Sequence, residues 1–367
     1  MKISYISNIK LAESSGGGSG VNNAVYSYFK TFAEYLGYQF INPPNIKSEE
    51  YKSKFQKLIT LPRDYYYFSE KRLEKIKEKF NFDKNADFYF FHGFSPWIKI
   101  KPDKPYFCFN DACFATYVEI YNNKKCFKTK DLQRIFTLEK EWLQKAQAVF
   151  FRSEWALQET KKNYNITGAN FFNVGVGGFI NIPLQDTYSG GKDFLFISKE
   201  FLPKGGKQSA EALQIVRKFY PEVSLSILGQ KPSDKYIGLV GINYLGFLNK
   251  NNKVEYEKLT NIFSKAFALV HPTIKDTNTL VINELAYFGC PAISSNKFAI
   301  PEYLINNKTG LLLENPRNVE EIASKMIELL RNNETYKQMR IATRNNAIQN
   351  NTWEKVGERL FKVINKY

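Results

Sequence analysis

Short apolar runs alternate along the chain with longer segments of mixed polarity, and this alternation predicts an α/β protein. The apolar runs are rich in Ile, Val, Phe and Tyr, which favour strands, and several of them end at glycine or at a polar residue. The predicted strands are residues 3–7, 88–91, 105–109, 148–151, 171–174, 194–197, 224–228, 243–245 and 266–270. Strands that alternate with helices typically form parallel sheets, so we expect two series of parallel strands.

Helices are predicted at residues 21–36, 69–80, 279–288 and 353–364. In the last of these, Trp353, Val356, Leu360 and Ile364 share one face, which indicates packing against another element. The helix at 69–80 carries stripes of Glu and Lys, which are typical of a face in solvent. Contact of this helix with an anionic membrane is the alternative.

The segment 185–191 is polar and rich in glycine, and it separates two series of predicted strands. Such composition is typical of a linker. We therefore expect an N-terminal Rossmann-like domain at residues 1–184 and a C-terminal Rossmann-like domain at residues 192–350. A final helix at residues 353–367 follows them.

The chain has 367 residues and a net charge of +16, and the excess of basic residues is spread over both halves. A diffuse positive field favours anionic partners such as nucleotide sugars, acidic lipids or nucleic acid. The alternative is a lysine-rich surface without a dedicated partner. The start of the chain has no basic and apolar leader, and no apolar stretch is long enough to span a membrane, so we expect a cytoplasmic protein. The four cysteines form no CxxC pair and predict no metal site.

Two carboxylates eight positions apart stand out in the second half. Asp276 lies in a predicted loop, whereas Glu284 lies in a predicted apolar helix with Leu280, Val281 and Phe288 as neighbours. A charge on an apolar helix face costs several kcal/mol unless it is paired. One interpretation is a core carboxylate bonded to backbone or to a lysine, and the other is a carboxylate that binds the hydroxyls of a ligand.

The sequence around these carboxylates resembles the nucleotide-sugar site of the family 4 retaining glycosyltransferases. The matching motifs are His271-Pro-Thr, Asp276-x7-Glu284, Ala286-Tyr-Phe-Gly289-Cys-Pro291-Ala-Ile-Ser294, Ile300-Pro-Glu302 and Thr309-Gly-Leu-Leu312. The resemblance implies the GT-B fold, in which two Rossmann-like domains face each other across a deep interdomain cleft. It implies that residues 1–184 form the acceptor-side domain and residues 192–350 the nucleotide-sugar donor domain. It also implies that the terminal helix crosses back to the N-terminal domain. Asp276 departs from the family pattern, which has glutamate there.

A second resemblance concerns the phosphates of the donor. The segment 196–206 resembles the family motif of a strand followed by Gly-Arg-x4-Lys-Gly, with Lys199 in place of the arginine and Lys204 at the lysine. The resemblance implies that both lysines neutralise the leaving diphosphate. Exposed turn lysines are the alternative.

The glycine-rich loop after the first strand is another candidate for donor binding, through Gly16, Gly17 and Gly18. Glycines allow backbone N–H groups to approach an anion, and the following helix directs its positive end to the same place. A nicotinamide site is disfavoured because the third glycine of that motif is missing.

Two residues at strand ends of the first half are further candidates. His92 follows a predicted strand and precedes Gly93, and the resemblance implies contact with the donor sugar near the reacting centre. An ordinary loop histidine is the alternative. Asp111 follows the next strand and is a candidate on the acceptor side, although Asn110 departs from the family's His-Asp pair.

The resemblance assigns the remaining roles within the donor site. Glu284 is expected to bind the ribose hydroxyls, and Asp276 to accept hydrogen bonds from the donor sugar. The backbone amides of Thr277, Asn278, Thr279 and Leu280 are expected to face sugar and phosphate. The catalytic residues implied are His92, Lys204 and Asp276. No Asp-x-Asp is present, so lysines, amides and the helix dipole are expected to act in place of a metal.

These features predict a metal-independent glycosyltransferase that moves a sugar from a nucleotide donor, UDP- or GDP-linked, to a saccharide, glycolipid or other hydroxyl acceptor. No cofactor is expected, and the anomeric configuration should be retained. Peripheral attachment to the inner membrane face is an open alternative for its location. Two alternative functions remain: transfer to modified DNA bases, which no nucleic-acid motif favours, and a nucleotide-sugar binding protein weakened at Asp276 and Lys199.

Overall fold

A computed structural model describes residues 1–11 and 17–367 of the chain. The described residues form two compact units. The first unit comprises Met1–Gly175 together with Val356–Tyr367, and the second comprises Val176–Lys355. The segment 185–191 lies within the second unit, where Asp186 forms an ion pair with Arg340.

Twelve strands are present in the described part of the chain. They are β1 (Lys2–Ser7), β2 (Tyr35–Phe40), β3 (Phe88–His92), β4 (Tyr106–Asn110), β5 (Ala148–Phe151), β6 (Phe171–Asn173), β7 (Asp193–Ser198), β8 (Ser224–Gly229), β9 (Ile242–Gly246), β10 (Leu269–His271), β11 (Ala292–Ser295) and β12 (Gly310–Leu313).

The α-helices of the first half are α1 (Gly17–Phe29), α2 (Lys47–Leu58), α3 (Glu70–Glu78), α4 (Phe114–Tyr121), α5 (Thr129–Lys145) and α6 (Glu154–Tyr164). Those that follow are α7 (Gly206–Val216), α8 (Asp234–Ile237), α9 (Lys253–Lys265), α10 (Leu280–Ala286), α11 (Ile300–Tyr303), α12 (Val319–Arg331), α13 (Asn333–Asn350) and α14 (Trp353–Ile364).

Each unit contains one six-stranded parallel sheet. The order in the first unit is β2-β1-β3-β4-β5-β6, and in the second it is β12-β11-β10-β7-β8-β9. The second order is that of a Rossmann sheet, in which successive strands are added on one side of β7 and then on the other. In such sheets ligands bind at the carboxyl ends of the strands where the direction of winding reverses. The reversal lies between β1 and β3 in the first unit and between β7 and β10 in the second.

The strands at these reversals are apolar on both faces, as expected for parallel strands covered by helices. All five residues of β3 are buried, and so are the central residues of β7. The ring of Phe90 in β3 stacks on Tyr5 of β1 at 5.4 Å between centroids. The aromatic side chains therefore fix the two strands that carry the polar residues at their ends.

The terminal helix α14 packs with its apolar face on the first unit. Val356 and Leu360 are buried, and the ring of Phe361 contacts that of Phe32 at 4.8 Å. At Gly357 a β-carbon would overlap the ring of Tyr28, so glycine is required for this close approach. The predicted spacing of apolar residues in this helix thus corresponds to its buried face.

The element predictions fail in two places. The helix predicted at 21–36 ends at Phe29, and Tyr35–Phe40 forms an edge strand that pairs with β1. Pairing with β1 satisfies the backbone groups of this segment and overrides its helix-like pattern. Strands β11 and β12 were not predicted, because their four-residue apolar runs lie inside the motif region.

Candidate functional site

The carboxyl ends of β7 and β10 position two predicted residues of the second unit. The chain leaves β7 at Ser198, so Lys199 and the turn that contains Lys204 lie at this edge of the sheet. His271 ends β10, and the loop that contains Asp276 follows it. Gly205 has a φ of +84°, and a β-carbon there would lie 2.3 Å from the carbonyl oxygen of Pro272. Glycine therefore allows the two loops to touch.

This contact brings Lys204 and Asp276 together. Lys204 Nζ lies 2.9 Å from Asp276 Oδ2 and also donates a hydrogen bond to the carbonyl oxygen of Lys275 at 2.9 Å. Both side chains are partly exposed, so the pair remains accessible to a ligand. The two oxygens hold the ammonium group at the reversal point of the sheet.

Lys199 is exposed, and its Nζ lies 5.5 Å from the centroid of the Phe247 ring, which follows β9. This cation–π contact directs the lysine along the carboxyl edge of the sheet. The exposed-turn interpretation describes the position of Lys199, whereas Lys204 is held by its neighbours.

Glu284 is buried in α10, with only 7% of its side chain exposed. Its Oε1 accepts a hydrogen bond from the backbone N–H of Phe179 at 3.0 Å, and Lys250 Nζ lies 2.5 Å from the same oxygen. The sequence left two interpretations of this carboxylate open, a bond to backbone or to a lysine and a bond to a ligand. The contacts with Phe179 and Lys250 are those of the first interpretation. Both bonds go to Oε1.

The sequence did not identify Lys250. It lies in the loop after β9, in a Lys-Asn-Asn-Lys run that is typical of a solvent-exposed turn. A single sequence holds no signal for this pair, because the two residues lie far apart in the chain and the spacing of each is locally ordinary.

The segment before α10 contributes buried polar groups. The helix begins at Leu280, and its N-cap residue, Thr279, makes no side-chain capping bond. Asn278, one residue earlier, accepts a hydrogen bond at Oδ1 from the hydroxyl of Tyr303 at 2.5 Å. The Thr279 hydroxyl is buried without a hydrogen-bond partner in the described part of the chain. Buried polar groups normally have partners, so this hydroxyl is available to a ligand.

Two other polar atoms in the segment that leads to Asp276 are also buried without a hydrogen-bond partner in the described part of the chain. Within residues 1–11 and 17–367, neither His271 Nδ1 nor the Thr273 hydroxyl has a hydrogen-bond partner, and both are buried. The His271 ring stacks on Phe196 with centroids 5.7 Å apart. Burial lowers the pKa of His271 to about 4, so its imidazole is neutral at pH 7.

His92 and the described glycines of the glycine-rich segment, Gly17 and Gly18, follow the strands at the reversal point of the first unit. Gly16 lies outside the described residues, Gly17 is the first residue of α1, and Gly18 lines a cavity. His92 ends β3, where it pairs in register with Ser7 at the end of β1.

His92 is held in a buried, neutral state. Its Nδ1 lies 3.3 Å from the hydroxyl of Tyr5, and that hydroxyl donates to Asn22 Oδ1 at 2.8 Å. Burial, together with the positive charge of Arg152, lowers the pKa of His92 to about 3. Because the Tyr5 proton is directed to Asn22, we assign the proton of His92 to Nδ1, which leaves Nε2 as a hydrogen-bond acceptor.

The cavity beside His92, which we call the first-unit cavity, has a volume of about 550 Å³. Asp111 and Arg152 line it at the ends of β4 and β5, with 3.8 Å between Asp111 Oδ2 and an Arg152 guanidinium nitrogen. Arg72 and several aromatic residues form another part of the lining. Sequence reasoning found His92 and Asp111 here but missed both arginines.

A buried carboxylate fixes two parts of this lining. Glu139 in α5 accepts hydrogen bonds from the Ser95 hydroxyl at 2.5 Å, the Phe114 backbone N–H at 2.7 Å and the Tyr164 hydroxyl at 2.5 Å. Burial raises the pKa of Glu139. Since Ser95 and Phe114 both line the cavity, Glu139 acts as a support for its wall.

Residues 1–11 and 17–367 contain no group of three or more His, Cys, Asp or Glu side chains placed to hold a metal ion. Over the same residues, no helix has both the length and the apolar character that crossing a membrane requires.

Comparison with known proteins gives a family match for part of the chain. Residues 185–346 match the model of the family described as glycosyl transferases group 1. This match covers less than half of the chain and lies within the second unit. No curated protein matches the sequence.

Solved structures match the fold over greater lengths. Sucrose-phosphate synthase from Thermosynechococcus elongatus has a TM-score of 0.69 at 14% identity, covering 100% of this chain and 99% of that one. Anabaena HepE in complex with UDP has a TM-score of 0.68 at 12% identity, with 100% of both chains covered. TarM has a TM-score of 0.58 at 16% identity over 80% of this chain, which spans only 57% of TarM.

These similarities confirm the prediction of an α/β GT-B fold. The part of the chain that carries the predicted donor motifs resembles group 1 glycosyl transferases in sequence, as expected. Membership of family 4 and the role of each site residue remain predictions.

Proposed function

We propose that the protein is a glycosyltransferase that uses a nucleotide sugar as donor and a hydroxyl group as acceptor. The observation that carries this proposal is the Lys204–Asp276 pair. It combines a cation for phosphate with a carboxylate for sugar hydroxyls. It lies where a Rossmann sheet binds its ligand, inside the region that matches the group 1 family.

In this proposal the second unit binds the nucleotide. Glu284 would accept hydrogen bonds from the ribose through Oε2, because its bonds to Phe179 and Lys250 go to Oε1. UDP is the first nucleotide to test, since HepE, which has a similar fold, is known in complexes with UDP and with UDP-glucose.

Lys204 and Lys199 would then neutralise the diphosphate. A bound phosphate would share the Lys204 ammonium with Asp276, which stays within reach of the donor sugar. The backbone amides of Thr277 to Leu280 are the further donors in the proposal. In this proposal the positive charge that stabilises the departing diphosphate thus comes from lysines.

We further propose that transfer retains the anomeric configuration, on the strength of the motif order from Asp276 to Leu312. The bond between the anomeric carbon and the diphosphate oxygen breaks while the acceptor oxygen bonds to the same face of that carbon. The acceptor proton passes to the departing diphosphate, so no side chain is needed as general base. Neutral His92 would accept a hydrogen bond from a sugar hydroxyl through Nε2.

The test is a panel of UDP- and GDP-sugars measured by thermal stabilisation, followed by nucleotide release on addition of candidate acceptors. A ligand present at about 100 times its Kd adds about 2.7 kcal/mol of stability, which a melting curve resolves easily. Stabilisation with acceptor-dependent nucleotide release supports the enzyme. Stabilisation without release for any acceptor would indicate a binding protein, and no stabilisation by any nucleotide sugar would refute the proposal.

A further inference from the structure

The first-unit cavity contains more positive than negative charge. Two arginines line it, Arg72 and Arg152, and among its described lining residues Asp111 is the only carboxylate. His92 contributes no charge near pH 7, because its pKa is held at about 3. The described lining residues therefore carry a net positive charge.

Arg152 is the deeper of the two cations, with 8% of its surface exposed. It lies over the Phe109 ring at 5.7 Å. Its distance of 3.8 Å from Asp111 exceeds the roughly 2.7–2.9 Å of a charge-assisted hydrogen bond. Asp111 is itself partly exposed, so water weakens its compensation of the guanidinium charge. An anionic ligand in the cavity would approach a guanidinium group that is largely buried in the cavity wall.

Arg72 is held in place by aromatic rings. Its guanidinium lies over Tyr66 at 5.1 Å and over Tyr67 at 5.8 Å, and it donates to the carbonyl oxygen of Pro44 and to the Tyr66 hydroxyl. Its Nε is buried and has no hydrogen-bond partner in the described part of the chain. A planar guanidinium fixed in this way is suited to phosphate or carboxylate.

Aromatic side chains supply a large part of the apolar surface of the cavity. Tyr65 and Phe68 are stacked at 5.6 Å, and Tyr65 meets Phe114 edge to face at 4.6 Å. Tyr117 also lines the cavity and leaves a large part of its ring in solvent. Rings of this kind pack against the C–H faces of a sugar, while polar neighbours bind its hydroxyls.

We infer that the first-unit cavity binds a saccharide acceptor that carries an anionic group, bound by Arg152 and Arg72, with its sugar ring against the aromatic wall. This inference rests on the proposed function, of which it specifies the acceptor class. The cavity volume of about 550 Å³ is within the range of small-molecule sites. Soluble sugar phosphates, sugar acids and sugars linked to lipid through phosphate share this chemistry.

The two histidines provide a separate reporter for each unit. The chain has only two, His92 at the first-unit cavity and His271 beside Asp276 in the second unit. Their imidazole NMR signals can be assigned with a His271→Gln variant. Glucose 1-phosphate, glucuronate and glucose are then titrated into the full-length protein.

We expect glucose 1-phosphate and glucuronate to shift the His92 signal saturably, with an affinity at least tenfold higher than that of glucose. The affinity of the charged probes should fall as salt is raised. If glucose bound as tightly as the charged sugars, or if these shifted only His271, the inference would be wrong.

Arg152→Gln removes the deeper cation, and it should weaken the binding of glucose 1-phosphate, measured from the His92 signal, at least tenfold. Arg331→Gln, which removes the same charge from an exposed helix end, is the matched control and should change nothing. Arg72→Gln tests the second cation if Arg152→Gln does not fold, and a severalfold loss is expected. Binding unchanged in a folded arginine variant would overturn the inference.

A UDP titration separates this inference from the proposed function. UDP should shift His271, which lies at the proposed donor site, whether or not the anionic sugars shift His92. UDP binding with no His92 response to any charged sugar would refute the acceptor class alone. A decyl ester of glucose 1-phosphate distinguishes the sources: tighter binding than glucose 1-phosphate indicates a lipid-linked acceptor, and equal binding indicates a soluble one.

Discussion

Lys250 Nζ lies 2.5 Å from Oε1 of Glu284 and joins a loop cation to a carboxylate inside an apolar helix face. This pair explains how α10 tolerates a charge among Leu, Val and Ile neighbours, because an ionic partner offsets much of the cost of burying a carboxylate. It also places the long, flexible side chain of a lysine beside the carboxylate that is proposed to bind the ribose. The Glu284 carboxylate therefore binds Lys250 through Oε1 and is proposed to bind the ribose through Oε2.

The first prediction concerns Glu284 itself. Glu284→Gln removes a charged acceptor of the ribose hydroxyls, and hydrogen bonds to charged groups contribute about 1.5–3 kcal/mol. We expect UDP to bind roughly ten- to a hundredfold more weakly by calorimetry. Glu257→Gln, on an exposed face of α9, is the control. Unchanged UDP affinity in Glu284→Gln would refute the ribose role.

Lys250→Met should have the opposite effect on binding. Without the lysine, Glu284 loses one partner, and we expect the free energy of unfolding to fall by about 1–3 kcal/mol. Oε1 then becomes a second acceptor for the ribose hydroxyls, so UDP affinity should rise severalfold. A tenfold loss of UDP affinity would instead show that Lys250 orients Glu284 or contacts the nucleotide.

The Lys204–Asp276 pair leads to a prediction about turnover. Lys204→Ala removes the proposed counter-charge of the leaving diphosphate, and we expect kcat to fall by about a hundredfold or more. A partly exposed ion pair contributes only about 0–1 kcal/mol, so Tm should change by less than about 4 °C. Lys207→Ala, which removes an exposed lysine of α7, is the control for net charge. A large loss of Tm with an equal loss of activity would assign Lys204 a structural role.

The neighbourhood of Lys204 also shows what a single sequence can predict. Lys204 and Asp276 were chosen by motif, and the structure brings their side chains within 2.9 Å. The strands at the centre of each sheet were predictable because they contain continuous apolar runs, as in β3 and β7. Such signals are local, so the sequence displays them directly.

The features that were missed depend on contacts between distant parts of the chain. Arg152 directly follows a predicted strand, but its burial beside Asp111 becomes visible only when β4 and β5 are adjacent. Glu139 resembles a surface residue of an amphipathic helix until Ser95 and Phe114 are brought to it. Edge strand β2 lacks a continuous apolar run and is interrupted by Gly37, so its pairing with β1 has no local signal.

The two histidines predict how stability depends on pH. In the folded protein the pKa of His92 is about 3 and that of His271 about 4, whereas an unfolded histidine titrates near 6.5. Between these values the unfolded chain binds more protons, so stability is lost as pH falls below about 6.5. Each histidine contributes a slope of about 1.4 kcal/mol per pH unit in this window.

Urea unfolding between pH 4.5 and pH 7.5 tests this dependence with His92→Gln and His271→Gln. In each variant the dependence of the free energy of unfolding on pH should be smaller than in the parent by about 1.4 kcal/mol per pH unit. Glu139 acts in the opposite direction, since its raised pKa favours the folded state as pH falls, and comparison of variant with parent cancels that contribution. A slope that is the same in parent and variant would show that the histidine is protonated or exposed in the folded protein.

The last prediction concerns the charge on the leaving group. If Lys204 and Lys199 neutralise the diphosphate, turnover should be unaffected by excess EDTA and by added Mg²⁺ or Mn²⁺. The same lysines should then make activity sensitive to salt, because exposed cations such as Lys199 are screened. Lys199→Ala should weaken UDP binding less than Lys204→Ala does, since Lys199 is exposed whereas Lys204 is held by Asp276. Abolition of activity by EDTA, with recovery on addition of a divalent ion, would show that a metal carries the charge assigned here to the lysines.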